Sequence, residues 1–166
     1  GDDKFPFEWL SDAYRVLKTG SALYVFCSWD MWSTVELCVE NAGFTMKNMI
    51  VINKSNHGMG DLKGQYAPKH ELLLFASKGR HILRFPNGRG KDVWEMKVKY
   101  SGAHHNHPNE KPLFWHTPAI LNSSDVGNIV LDPFCGSGSS LIEAKNQNRN
   151  FIGIDISSEY CQIARK

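Results

Sequence analysis

The stretch "LDPFCGSGSS", residues 131–140, decides the fold. It follows an apolar run ending at Leu131 and precedes a segment with helical spacing. A strand, a glycine turn and a helix in that order aim backbone N–H groups at one point, where anions and carboxylates bind. Gly136 and Gly138 let a ligand approach the backbone with no Cβ in the way. Asp132 ends the strand, and its carboxylate can bind an ammonium group. The next strand, "FIGID" (151–155), closes on Asp155, which can accept hydrogen bonds from both hydroxyls of a ribose.

Other nucleotide loops fit less well. The dinucleotide fingerprint G-x-G-x-x-G needs a third glycine where this chain has Leu141. A phosphate loop needs Gly-Lys-Ser/Thr, which does not follow. Ammonium, carboxylate, ribose and adenine together describe S-adenosylmethionine better than a dinucleotide. Taken alone, the glycine pattern also fits a purely structural tight turn.

Outward from the loop, helical and extended patterns alternate. Trp9, Leu10, Ala13, Val16 and Leu17 mark a helix over 8–18 that Gly20 ends. "ALYVFCS" (22–28) reads as a buried strand. Val35, Cys38, Val39 and Ala42 give a second helical face, and "TMKNMIVIN" (45–53) another strand. Residues 54–69 are polar and glycine-rich, hence a loop. "HELLLFAS" (70–77) is a strand with no helix between it and 45–53, so the two should pair antiparallel. Residues 78–109 read as irregular. A helical pattern over 111–124 must kink or restart at Pro118. "NIVLD" is a strand, 139–147 a helix, and Ser157 can cap a last helix running to Lys166. The alternation predicts an α/β, doubly wound sheet.

With 166 residues the chain suits one domain. No stretch approaches the roughly 20 apolar residues of a membrane span, and no secretory signal opens it. It begins at Gly1 rather than Met, which points to a fragment or a processed chain. The four cysteines form no C-x-x-C pair and read as reduced thiols. The net charge of +2 hides a local bias. Lys78, Arg80, Arg84, Arg89, Lys91, Lys97 and Lys99 face only Asp92 and Glu95 between 78 and 99. That stretch reads either as a phosphate-contacting surface or as a solvated loop. "HHNH" (104–107) and His116 lack the cysteine or carboxylate partners a zinc site wants, so no metal is expected. Tyr66 and Trp29 could each stack on an extruded base or simply pack.

Three segments together, "HPNEKP" (107–112), "LDPFCGSGSS" (131–140) and "FIGIDISSEYCQIARK" (151–166), resemble the C-terminal portion of the amino-group DNA methyltransferases. These modify the exocyclic nitrogen of adenine (N6) or cytosine (N4). The order is that of the circularly permuted β group, in which the cofactor motifs follow the catalytic half. More loosely, "EWLSDAYRVLKTGSALYVFCS" (8–28) resembles the helix and strand after that group's catalytic loop, and "HELLLFASKG" (70–79) its hairpin strand near the base pocket.

The resemblance implies a Rossmann-like methyltransferase sheet, mostly parallel with one antiparallel strand. It implies a single domain over 1–166, with 78–106 as a small target-recognition insert. Asp132, Pro133, Phe134, Gly136, Ser137 and Gly138 would form the cofactor loop. Asp155 would hold the ribose and Ile156 would pack on the adenine. His107, Asn109, Lys111 and Pro112 would close over the methionine end.

The family's catalytic loop, (D/N/S)-P-P-(Y/F/W), does not occur in this chain. Catalytic residues are therefore unknown, and the loop is expected upstream of Gly1. Without its strand, two half-sheets with unpaired edges should result, so the chain is expected to be incomplete. The expected activity is site-specific, S-adenosylmethionine-dependent methylation of adenine or cytosine in duplex DNA, with the target base extruded from the stack. A homodimer and a restriction endonuclease are candidate partners; the expected location is cytoplasmic, with no membrane association. The alternatives are a catalytically inactive cofactor- or DNA-binding fragment, a dinucleotide oxidoreductase, and an RNA or protein methyltransferase.

Overall fold

In the computed structural model, which describes residues 7–54, 56, 63–85, 89–96 and 111–165, the first amphipathic run forms α1 (Trp9–Val16). Leu10 and Ala13 are its buried residues. The C-terminal carbonyls of α1, which no intrahelical N–H reaches, meet a distant cation. Lys78 Nζ donates to the carbonyls of Tyr14 and Leu17, the latter at 2.8 Å, and sits 4.5 Å from the centroid of the Tyr14 ring.

The chain continues through β1 (Ala22–Cys27), α2 (Trp32–Asn41), β2 (Thr45–Lys54), β3 (His70–Ser77) and β4 (Val93–Met96). The sheet order is β1-β3-β2-β4. β3 runs antiparallel to both neighbours, while β2 and β4 are parallel. Three strands therefore share one direction and β3 alone is reversed, as the pairing of 45–53 with 70–77 predicts. β3 is covered on both faces. Leu74 and Ala76 join a core with Leu10, Ala13, Leu23, Val35, Val39 and Phe44. Leu73 and Phe75, on the other face, are equally buried. Two buried faces explain why "LLLFA" is apolar without alternation.

A second compact unit takes in Leu83–Arg89 and the described residues from Lys111 onward. Pro118 restarts the predicted 111–124 helix. A 3-10 turn (Leu113–Trp115) is followed by α3 (Thr117–Ser123), with the proline in the first turn, where its missing N–H costs nothing. Then come β5 (Ile129–Asp132), α4 (Ser139–Asn146), β6 (Asn150–Gly153) and α5 (Ser158–Ala164). β5 and β6 pair in parallel, from Ile129 opposite Asn150 to Asp132 opposite Gly153, and form their own sheet among the described residues. Ser157 caps α5, its hydroxyl accepting from the Tyr160 N–H at 3.3 Å. All four cysteines are free thiols.

The basic stretch divides by role. Lys78 is the cap of α1, and Arg84 forms a two-pronged pair with Asp125, Nη2 to Oδ2 at 2.7 Å. These two charges are engaged within the protein itself, a correction to the reading of the whole run as a phosphate surface. Arg80, Arg89 and Lys91 are exposed. Lys97 and Lys99 lie outside the described residues. The irregular reading of the run is corrected at 93–96, where β4 adds to the sheet beside β2.

Candidate functional site

The second unit builds its site where β5 and β6 end side by side. The ladder extends past both strands: Ile154 N–H donates to the Asp132 carbonyl and Cys135 N–H to the Ile154 carbonyl, both at 2.9 Å. The glycine loop is thereby fastened to the neighbouring strand before α4 begins. It then closes on itself, with Gly138 N–H donating to the Cys135 carbonyl at 2.7 Å.

Each of the two acids anchors this loop. Asp132 Oδ1 accepts from the Phe134 N–H at 3.0 Å, and Oδ2 accepts from the Ser140 hydroxyl in the first turn of α4. Asp155 Oδ2 accepts from the Gly136 N–H and its Oδ1 from the Ser157 N–H, each at 2.8 Å. One carboxylate thus ties the glycine loop to the turn that enters α5. A carboxylate oxygen accepts more than one hydrogen bond, so both acids keep capacity for a ligand while holding fixed orientations.

The two glycines have different tasks. Both have left-handed backbones, with φ +51° at Gly136 and +89° at Gly138. A Cβ on Gly136 would meet nothing within 4 Å, so this backbone stands open. A Cβ on Gly138 would lie 3.0 Å from the Cβ of Ala164 in α5. Gly138 is buried against protein, and the expectation that it bares backbone to a ligand is corrected: its missing side chain lets α5 approach. A third glycine works the same way. A Cβ on Gly153 would overlap Leu141 Cδ1 and stand 3.0 Å from Cys135 Sγ. The close helix–strand approach that the dinucleotide fingerprint achieves with its third glycine is made here from the strand side. The missing third glycine is a glycine on β6 facing Leu141.

The remaining predicted residues are placed as follows. Pro133 and Ser137 are half-buried in the loop, and Phe134 is exposed beside them. Ile156 is fully exposed, next to Asp155. Lys111 and Pro112 lead into the 3-10 turn. His107 and Asn109 lie outside the described residues.

Two groups that sequence reasoning did not assign to the loop belong to its surroundings. Ser140 is one; a hydroxyl in the first turn after a glycine loop is the signal that could have found it. The other is His116, whose Nε2 lies 3.2 Å from the Ser139 hydroxyl at the start of α4. Burial lowers the His116 pKa from its ordinary 6.5, the charges of Asp132 and Glu143 oppose that shift, and Lys111 adds to it. Glu143 is itself buried on α4, accepting from the Thr117 hydroxyl at 2.6 Å and the Gln147 amide at 2.8 Å. Burial also raises the Cys135 thiol pKa, helped by the nearby Asp132 and Asp155 charges, so this loop cysteine stays protonated.

An open backbone at Gly136, a carboxylate following each strand and exposed Phe134 and Ile156 are groups that could together cradle a molecule with an ammonium, a ribose and a flat apolar ring. These features fit S-adenosylmethionine. Comparison with known proteins agrees. The DNA methylase family of N6- and N4-methyltransferases matches residues 3–166. The type II methyltransferase M.HpaI of Haemophilus parainfluenzae is 33% identical over 183 residues, covering 98% of this chain and 58% of that protein. The putative methylase YubD of Escherichia coli (strain K12) is 35% identical over 157 residues, covering 92% of this chain and 66% of that protein. The chain therefore spans about three fifths to two thirds of these relatives' length. Among solved structures, the M1.HpyAVI–SAM complex superimposes with a TM-score of 0.85 at 28% identity, covering 97% of this chain and 81% of that one.

Proposed function

Because the chain belongs to the N6/N4 DNA methylase family, we propose that it serves transfer of a methyl group from S-adenosylmethionine to the exocyclic amine of adenine or cytosine in duplex DNA. The observation that carries this reading is the open Gly136 backbone, tied by its N–H to Asp155, in the loop that Asp132 anchors at the end of the neighbouring parallel strand. Asp132 receives the ammonium and Asp155 the ribose hydroxyls. Phe134 and Ile156 offer apolar surface to the adenine, with Pro133, Ser137 and Gly138 shaping the loop between. Lys111 and Pro112, together with His107 and Asn109, flank the methionine end. When bound, the cofactor supplies a methyl group already activated by its sulfonium. The residues of this chain hold and orient it.

DNA is contacted through phosphate-directed charge on exposed Arg80, Arg89 and Lys91, and the 78–106 stretch takes part in target recognition. We place the protein in the cytoplasm, with a second copy of the chain or a restriction endonuclease as its partner. No described helix is long and apolar enough to cross a membrane.

The reading is tested by titrating the full chain with S-adenosylhomocysteine and with NADH, and by following methyl label into duplex DNA, RNA and protein. S-adenosylhomocysteine binding and label in DNA are expected. NADH binding without a homocysteine-nucleoside signal, or label only in RNA or protein, would overturn it. Binding without transfer to any acceptor would favour a cofactor-binding module.

A further inference from the structure

His116 has no part in the cradle as described, yet it stands among the groups that decide the charge there. It lies between the 3-10 turn and α3, in the segment that begins at Lys111. Its Nε2 is 3.2 Å from the hydroxyl of Ser139, the first residue of α4 and the one directly after Gly138. The charged groups facing it come from each neighbouring element: Asp132 at the end of β5, Glu143 on α4, and Lys111 ahead of the 3-10 turn. Both carboxylates already have donors, Asp132 from Phe134 and Ser140, Glu143 from Thr117 and Gln147. An imidazolium here would add a cation to an anion that the proposed ligand's ammonium must use.

We propose that His116 is a positioning residue for the amino-acid end of the cofactor: as a neutral imidazole it holds Ser139, whose neighbour Ser140 donates to Asp132, and as an imidazolium it sets a second cation near that carboxylate and opposes binding of the ligand's ammonium. The proposal rests on the cofactor reading above. Protonation of His116 and binding of the ammonium then oppose one another through the charge of Asp132. Linkage fixes the sign: affinity is full while the imidazole is neutral and falls as pH drops through its titration. Burial lowers the residue's pKa, so the loss is centred below the ordinary histidine value of 6.5.

The experiment is calorimetric titration of the full chain and of its His116→Gln variant with S-adenosylhomocysteine and with adenosine, across the acid side of neutrality. The glutamine keeps a hydrogen-bonding end for Ser139 and cannot acquire charge. For the unsubstituted protein the dissociation constant for S-adenosylhomocysteine is expected to rise as pH falls through the titration of His116, with a ceiling of about tenfold per pH unit for one coupled proton. The variant is expected to lose that rise. Adenosine, which lacks the amino-acid end, should show no His116-dependent change, whereas mere loosening of the fold would weaken both ligands alike.

An equal pH dependence in both proteins, or an equal loss for adenosine, would overturn the proposal. Should the variant fail to fold, proton NMR of the His116 ring decides the matter. Saturating S-adenosylhomocysteine must move its titration to lower pH, and an unmoved midpoint would be fatal. If S-adenosylhomocysteine binds neither protein at any pH, the cofactor reading itself falls; if it binds both identically, only the role of His116 falls.

Discussion

Replacing Gly153 with alanine probes the packing that shapes the glycine loop. The position is exposed by solvent accessibility, and removing a glycine from a strand ordinarily stabilises by about 0.4–1 kcal/mol through the unfolded chain. The geometry demands the reverse. The new methyl would overlap Cδ1 of Leu141, which is only 6% exposed and has little room to move. It would also stand 3.0 Å from the Sγ and 3.2 Å from the Cβ of Cys135, inside the loop. Overpacking a filled site costs about 1–3 kcal/mol. Set against the entropic gain, the net loss should be about 1–2 kcal/mol, or a melting temperature lowered by about 3–6 °C for a chain of this size.

Calorimetry of Gly153→Ala, Leu141→Ala and the double variant closes a thermodynamic cycle. Leu141→Ala alone should cost about 2–5 kcal/mol, but it opens the space the methyl needs. In that background Gly153→Ala should cost nothing or stabilise. A single Gly153→Ala variant melting at or above the unsubstituted protein would refute the packing argument, and so would an equal cost with Leu141 truncated.

Other outcomes follow from the hydrogen bonds. Lys78→Met removes the ammonium that caps α1 and should cost about 1–2 kcal/mol of stability while leaving DNA affinity unchanged. The paired Arg89→Ala and Lys91→Ala substitutions should instead leave melting unchanged and flatten the salt dependence of DNA binding by about 0.9 per lost phosphate contact, measured by fluorescence anisotropy. Asp155→Asn leaves one acceptor oxygen for two backbone N–H groups. It should weaken S-adenosylhomocysteine binding by tenfold or more and cost about 1–3 kcal/mol of stability, as titration and thermal melts would show. Asp125 is held below its ordinary 3.8, first by the hydrogen bonds from Arg84 and then by the charges of Arg84 and Arg149. Its contribution is complete above that ordinary value and is lost as pH falls through the lowered one. In Arg84→Gln the acid limb of a melting-temperature profile should therefore be flatter.

Apart from β4, the order of elements was legible because each carries its own period or punctuation. Pro118 broke the 111–124 pattern where expected, and Ser157 capped α5 as its type suggests. β4 was not legible. "VWEM" is too short to show alternation, and its strand character comes from pairing with β2, some forty residues away in sequence. The loop acids were readable as carboxylates following two apolar strands; the hydrogen bonds they accept from Phe134, Ser140, Gly136 and Ser157 were not, because no local pattern announces them. The split between Gly136 and Gly138 was not readable, since both need a left-handed backbone and only the distance to Ala164 separates them. Gly153 looked like an ordinary strand residue; its reason lies in Leu141, on another element. Lys78 looked like one more surface charge until the chain brought it to the end of α1. His116 gives no local signal, because everything it answers to arrives from β5 and α4.

The reversed strand has a bearing on how the chain is made. β3 is the most buried strand of its sheet and, among the described strands, the only one with both long neighbours, β1 and β2, earlier in the sequence. On a ribosome, where a chain emerges N-terminal end first, both flanking strands are outside before "ELLLFA" appears. The segment best suited to stick to other copies of itself therefore enters the cell with its two lawful partners already waiting.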